Sequence, residues 1–221
     1  MTPTALIDAT PVLDHWWLLR LPWSGAPAEP GQWLWLDIDG QRIRLAVRDC
    51  HTQEQWLAGL LPGALLPGTL RPGTAVSISS LQGSAVKPPA NKRLIIVGED
   101  LGVGPALALA ERQASHTRLV IIGGRYGLPA RAVPSRFLVP AVADAAIAGV
   151  ASLESANIPS RIALTEERPG IFVGRPIELL QHYLQNTPVA VHEDLALIGF
   201  APRGLLMEFD GSSLAAVSSQ R

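Results

Sequence analysis

Sulfur is scarce in this chain: a single cysteine, Cys50, stands among 221 residues. One thiol excludes an intrachain disulfide framework, a Cys-only zinc site and a Cys-ligated iron–sulfur cluster carried by this chain alone, and it fits a reducing, cytoplasmic setting. Charge is scarce too. Asp, Glu, Lys and Arg make up 17% of the residues and the formal net charge is -1, so there is no basic excess to condense onto nucleic acid or anionic lipid. The five histidines, His15, His51, His116, His182 and His192, include no pair one helical turn apart, which argues against a histidine metal site. Long apolar runs are missing as well. The stretch 141–153 is short and broken by Asp144, and the first residues carry no basic cluster ahead of an apolar one, so neither a membrane span nor a secretory leader is expected.

What the chain does have is core material, with 48% hydrophobic residues, and two halves that differ in pattern. Residues 15–89 alternate aromatic or aliphatic with polar positions and are broken repeatedly by Pro and Gly. Trp33-Leu-Trp-Leu-Asp-Ile38, Asp39-Gly40 and Gln41-Arg-Ile-Arg-Leu-Ala-Val47 form a hairpin signal, because Asp-Gly supplies the positive φ angles of a tight turn. Asp37 and Asp39 beside Gly40 read as that turn and not as a calcium loop, since the remaining ligand positions are absent. Tryptophans 16, 17, 23, 33, 35 and 56 all lie in this half. Trp16 and Trp17 are adjacent, so they cannot both face inward on a regular strand. An antiparallel β-barrel over residues 1–89 is expected.

After the stiff joint Lys87-Pro-Pro-Ala-Asn-Lys92 the period changes. The segments 94–97 and 119–122 are nearly all aliphatic, as parallel strands covered on both faces are. Helices are expected over 105–113, with Pro105 at the first position, over 141–153 and over 176–184. Further strands are expected over 161–164 and 189–191, and a loose tail over 212–221. Strand and helix in alternation mark residues 90–221 as a parallel α/β domain of the nucleotide-binding kind.

The richest segment is Arg93-Leu-Ile-Ile-Val-Gly-Glu-Asp-Leu-Gly-Val-Gly-Pro105, an apolar strand that runs through a glycine-rich turn into a helix. Backbone N–H groups at such a turn, backed by the helix dipole, suit a pyrophosphate. Glu99 and Asp100 oppose that use. At an effective dielectric near 20 and a separation of roughly 5 Å, each carboxylate repels a phosphate charge by about 3 kcal/mol. As a milder role, the two acids would complement the helix dipole. Arg125 is a candidate for a bidentate phosphate contact or an ordinary loop cation. Cys50-His51 lacks a third, orienting group and reads as structural.

These segments resemble the ferredoxin-reductase-like flavoproteins, and most of all the electron-transfer subunit of dihydroorotate dehydrogenase. Pro30-Gly-Gln-Trp33 resembles the family's Pro-Gly-Gln-aromatic lead into a barrel strand, and Leu70-Arg-Pro-Gly73 with Leu81-Gln-Gly83 resembles a later barrel turn. Ile96-Val-Gly-Glu-Asp-Leu-Gly-Val-Gly-Pro105 is similar to the Gly-Gly-Gly-Ile-Gly-x-Ala-Pro loop: Gly98, Gly102 and Pro105 match, Glu99 and Asp100 replace glycines, and Gly104 replaces the alanine. Ile122-Gly-Gly-Arg125 resembles the second-strand exit that approaches the adenosine part of NAD(P). Thr165-Glu-Glu with Gly170, Gly174 and Ile177-Glu-Leu-Leu180 resembles the family's glycine-bracketed loop and helix.

The resemblance implies FAD or FMN between the halves, with Arg44 or Arg48 on its phosphates and Gly98, Gly102, Gly104, Pro105 and Arg125 on the nucleotide side. It also implies electrons passing between NAD(P)H and a protein partner; the expected assembly is with a redox or catalytic subunit, or as a homodimer. Departures accompany it. The flavin-phosphate strand motif is replaced by Arg44-Leu-Ala-Val47 or Arg48-Asp-Cys-His51, without its hydroxyl, and the Cys-Gly-Pro after the last strand is replaced by Val191-His-Glu-Asp-Leu195. The four cluster-binding cysteines of the dehydrogenase subunit are absent. Two functions stand: a diverged flavin-dependent oxidoreductase, with the acidic turn disfavouring NAD(P)H, or a non-catalytic subunit that keeps the fold for assembly after losing its cofactors.

Overall fold

The computed structural model describes residues 1–188, 191 and 193–201, together with the backbone of 206–209. Eight strands come from the first part of the chain: β1 (Thr2–Ala5), β2 (Asp8–Pro11), β3 (Trp16–Pro22), β4 (Trp33–Ile38), β5 (Gln41–Ala46), β6 (Asp49–His51), β7 (Trp56–Pro62) and β8 (Ala75–Ile78). They form two four-stranded antiparallel sheets, ordered β1-β8-β4-β5 and β2-β3-β7-β6. Leu34, Leu36 and Ile38 of β4 point into a core shared with Leu19 and Leu21 of β3 and Leu57 and Leu61 of β7. Each such side chain contributes roughly 1.5–3 kcal/mol on full burial. The alternate residues Trp33 and Trp35 therefore face outward. The expected hairpin is present, with Asp39 at φ 50 and Gly40 at φ 79 turning β4 into β5.

The second part builds on β9 (Arg93–Glu99), α1 (Val103–Arg112), β10 (Thr117–Gly124), β11 (Ala132–Pro134), β12 (Ala148–Val150), α2 (Ala151–Ser155), β13 (Ser160–Leu164), β14 (Phe172–Val173), α3 (Pro176–Asn186), β15 (Leu195–Phe200) and β16 (Leu206–Phe209). A six-stranded sheet runs β14-β13-β10-β9-β15-β16, parallel except for β16, and β11 pairs with β12 apart from it. Alternation along β9 explains the unbroken apolar run: Leu94 and Ile96 pack with α1, while Ile95 and Val97 pack with α3. The chain leaves β9 toward β10 and returns on its other side as β15. The strand order therefore reverses between β9 and β15, where open α/β sheets leave a crevice at the strand C-termini.

Three expectations change. α1 begins at Val103, so Pro105 occupies its third position; the short 3-10 turn Asp100–Gly102 starts the coil early, and the N–H that Pro lacks has no acceptor in a first turn. The stretch 141–153 is not one helix. Residues 148–150 pair with β11, and Gly149 packs so tightly that a Cβ there would lie 2.4 Å from Glu154 Oε1, leaving only the short α2. The closing parallel strand is β15, not 189–191. Val189, Ala190 and the expected tail at 212–221 lie outside the described residues.

Specific contacts lock the halves together. Trp16 is fully buried and donates its indole N–H to the Tyr126 carbonyl at 2.7 Å, while Trp17 packs toward the β core, so the adjacent pair divides as its alternation requires. Asp14 Oδ2 accepts the Leu128 N–H at 2.8 Å and lies 2.6 Å from the Arg168 guanidinium. Leu101, from the glycine-rich turn, packs against the core of the β half.

Candidate functional site

The crevice at the C-termini of β9 and β15 faces the outer surface of β4 and β5, and between them lies an open cleft. Trp33, Arg44 and Ala46 form its β-sheet side; Leu101, Gly102, Pro105 and Phe200 form the other. Trp33 and Ala46 are direct cross-strand partners, as are Trp35 and Arg44, so one outward stripe of a hairpin supplies the wall.

Arg44 is the unusual group here. Its guanidinium carbon sits 3.9 Å from the Trp33 ring centroid and 5.4 Å from that of Trp35, whose indoles meet edge to face at 5.3 Å. Among the described residues no carboxylate pairs with it, and its buried Nε has no hydrogen-bond partner. Burial pushes its pKa down from the ordinary value. The indole faces offset part of that desolvation. The cationic edge is left facing a mainly apolar cleft.

Arg48, the other arginine expected on flavin phosphates, is directed elsewhere. It contacts Asp49 and lies 3.7 Å from Glu111 on α1, tying the strand side of the interface to the helix. Burial raises the Glu111 carboxyl above its ordinary value, against the smaller opposing effect of Arg48.

The glycine-rich turn is shaped by close packing. A Cβ on Gly98 would lie 2.6 Å from Ala106 Cβ, and one on Gly102 would lie 2.1 Å from the Phe200 carbonyl oxygen. Gly104 has more room, its nearest neighbours being Leu60 Cβ at 3.5 Å and Arg48 Cβ at 3.7 Å. Of the seven candidates, the structure gathers Arg44, Gly102 and Pro105 at the cleft; Arg48, Gly98, Gly104 and Arg125 do not line it.

The two acids behave differently from the sequence expectation. Neither caps α1, whose N-cap is Gly102 without a side-chain bond, and neither stands unpaired. Asp100, at φ 51 and 1% side-chain exposure, reaches across to the end of β10. Its Oδ1 accepts the Arg125 backbone N–H at 2.8 Å, and its Oδ2 takes Nε and Nη2 of Arg125, each at 2.9 Å. Gly124 makes room for it, since a Cβ there would stand 2.2 Å from Oδ1. Glu99 is held by both arms of Arg175, Nε to Oε1 at 2.6 Å and Nη2 to Oε2 at 2.9 Å. Hydrogen bonding to these carboxylates, then their charge, raises the pKa of both arginines.

Arg125 is thus engaged by Asp100 through its backbone N–H and its guanidinium, with most of its side chain exposed. Arg175 was missed in the sequence, although Arg175-Pro-Ile-Glu178 signals the start of α3: Glu178 accepts the Arg175 backbone N–H at 2.8 Å in a capping box. Phe200 was missed with it. Because the last parallel strand, β15, ends at Phe200, it is Phe200 and Ala201, and not Val191 to Leu195, that stand where a Cys-Gly-Pro was sought.

Cys50 packs against the β core, and His51 stacks on Trp56 at 5.7 Å while its Nδ1 accepts the Glu54 N–H. Among the described residues no cluster of His, Cys, Asp or Glu is arranged to hold a metal ion. No described helix is long and apolar enough to cross a membrane.

A pair of antiparallel sheets followed by a parallel α/β sheet, meeting at a cleft beside the first strand's glycine-rich turn, is a ferredoxin-reductase-like fold. The cytochrome P450 reductase GcoB of Amycolatopsis superposes with a TM-score of 0.62 at 16% identity, over 99% of this chain and 65% of that one. The ferredoxin NADP+ reductase of Neisseria gonorrhoeae, solved with bound FAD and NADP, gives 0.56 at 12% identity over 90% and 84%. An NADH-dependent reduced ferredoxin-NADP oxidoreductase gives 0.54 at 11% identity over 99% and 93%. The present chain therefore spans slightly less than two thirds of the P450 reductase. No family model matches the sequence, and no curated protein matches it.

Proposed function

We propose that this chain is a flavin-dependent electron-transfer protein that holds FAD, or FMN, at the cleft between its halves and exchanges electrons with a protein partner. The observation that carries this reading is Arg44, which among the described residues has no carboxylate partner and an orphaned buried Nε, and is fixed against Trp33 at the mouth of an apolar cleft. A buried donor without an acceptor is unfavourable by ~1–3 kcal/mol, and an incoming phosphate would satisfy it. The donor set fits a flavin nucleotide: one cation for its phosphates, with Trp33 and Phe200 for its apolar body. Bound there, the flavin supplies the redox chemistry. Arg44 would anchor its charged end, while Leu101, Pro105 and Phe200 exclude water from the apolar end.

Neighbours of this fold include a P450 reductase and a ferredoxin reductase solved with FAD, which supports FAD over FMN and a protein as the other redox party. The local likeness to the dihydroorotate dehydrogenase electron-transfer subunit supports the same role. With one cysteine, no Cys-ligated cluster within this chain can relay the electrons.

An absorbance spectrum of freshly purified protein, before and after titration with FAD and FMN, tests the reading. Flavin bands that persist through gel filtration, with quenched flavin fluorescence, are the expected result. A colourless protein that takes up neither flavin would sink it and leave the non-catalytic assembly subunit as the surviving reading.

A further inference from the structure

The fold implies a nicotinamide dinucleotide across the C-terminal ends of β9, β10 and β13, yet the residues there do not fit one. A backbone N–H beside a forked guanidinium makes an anion site, and Arg125 offers both. That site is filled by Asp100, whose two oxygens take the Arg125 N–H, Nε and Nη2. The Arg175 guanidinium at the N-cap of α3 is a second anion site, and Glu99 fills it with both oxygens. The carboxylates lie underneath, at 1% and 9% side-chain exposure, and the arginines above them at 60% and 53%. Meanwhile the start of α1 is packed shut: Val103, Gly104 and Pro105 are buried, and Gly102 abuts the Phe200 carbonyl.

We infer that Glu99-Asp100 is a built-in occupant of the nucleotide-phosphate face, two carboxylates that saturate its guanidinium anion sites from within, so that this chain does not take NAD(P)H there. This differs from simple repulsion, because a paired carboxylate presents little net charge to a distant phosphate. It blocks by holding the donors and the space. The side-chain volume of Asp100 therefore matters as well as its charge, and the glycine at position 124 serves the carboxylate and not a ligand.

The test is titration of flavin-free protein with NADPH, followed by nucleotide fluorescence and calorimetry. The wild type is expected to show no saturable binding below millimolar NADPH. Asp100→Gly combined with Glu99→Gln vacates one site and discharges the other, and gains roughly ten- to a hundredfold in affinity. Asp100→Asn with Glu99→Gln keeps the side-chain volumes and remains foldable, since Asn tolerates the positive φ; it gains less than the glycine variant. Saturable binding of NADPH by the wild type at micromolar concentration overturns the inference, as does a folded glycine variant with no gain. Because the readout uses no flavin, a colourless protein that gains NADPH affinity on substitution rejects the flavin proposal and leaves this one standing.

Discussion

Replacing Arg44 with alanine separates a ligand-binding arginine from a packing one. Among the described residues this guanidinium has no carboxylate partner, and its buried Nε is unsatisfied. Its stacking on Trp33 at 3.9 Å contributes about 0.5–1 kcal/mol. Removing it forfeits that contact but also removes an unsatisfied donor worth about 1–3 kcal/mol. The two terms oppose, so the melting temperature of the flavin-free protein changes little. Flavin binding is affected differently. A charge-assisted bond to a phosphate is worth about 1.5–3 kcal/mol, and its loss weakens flavin affinity roughly 10- to 150-fold. Arg44→Lys keeps the charge but not the planar fork and recovers part of the loss. The assay is a titration of flavin-free protein with FAD, read by fluorescence quenching, alongside thermal melts of the same samples. Unchanged FAD affinity in Arg44→Ala refutes the anchoring role. A large drop in melting temperature with a parallel loss of binding would mean that the residue holds the hairpin and not the ligand.

Other substitutions probe the frame. Gly102→Ala forces a Cβ to within 2.1 Å of the Phe200 carbonyl and is expected to destabilise by more than about 2 kcal/mol in urea unfolding. Gly104→Ala, with neighbours no nearer than 3.5 Å and a helical backbone, is expected to stabilise by up to about 0.5–1 kcal/mol. Glu111→Gln tests the raised carboxyl at the interface. A raised folded pKa means that stability is fully present below the unfolded value and falls as pH rises through the folded one, so the variant gains stability at neutral pH, by a fraction of 1 kcal/mol after screening. That gain vanishes in melts well below the ordinary value of 4.5. Asp14→Ala removes the acceptor of the Leu128 N–H and the partner of Arg168, and limited proteolysis near residues 126–128 is expected to quicken.

Much of the architecture was legible from period and punctuation. The alternation of 33–38 across Asp39-Gly40 gave the hairpin, and the aliphatic runs at 94–97 and 119–122 gave the central parallel strands, because buried parallel strands leave little other pattern. The run 141–153 misled for a physical reason: its apolar residues serve turns, a strand and one helical turn in succession, and no local signal distinguishes these from a single buried helix. The last strand was placed too early because β15 follows a polar stretch that breaks the expected rhythm. At the site, residue types were legible but pairings were not. Glu99 and Asp100 stood out, yet their partners lie 76 and 25 residues away, a distance no periodicity spans. Arg44 and Arg48 looked interchangeable on paper. They diverge because Arg44 lies within β5, opposite Trp35, whereas Arg48 follows the strand and turns toward α1.

The layering of the two acid–arginine pairs makes their members unequal in what each costs to lose. A buried carboxylate stripped of its arginine is destabilised by roughly 3–5 kcal/mol, a large part of the ~5–15 kcal/mol that holds a typical domain folded. An arginine more than half exposed loses little when its carboxylate is taken away, because water replaces the partner. A variant with Asp100 and Glu99 but without Arg125 and Arg175 is expected to be poorly stable, whereas one with the arginines alone is expected to fold readily. The two members of each pair are therefore unequal: loss of an acid leaves an exposed guanidinium that water solvates, whereas loss of an arginine strands a buried carboxylate.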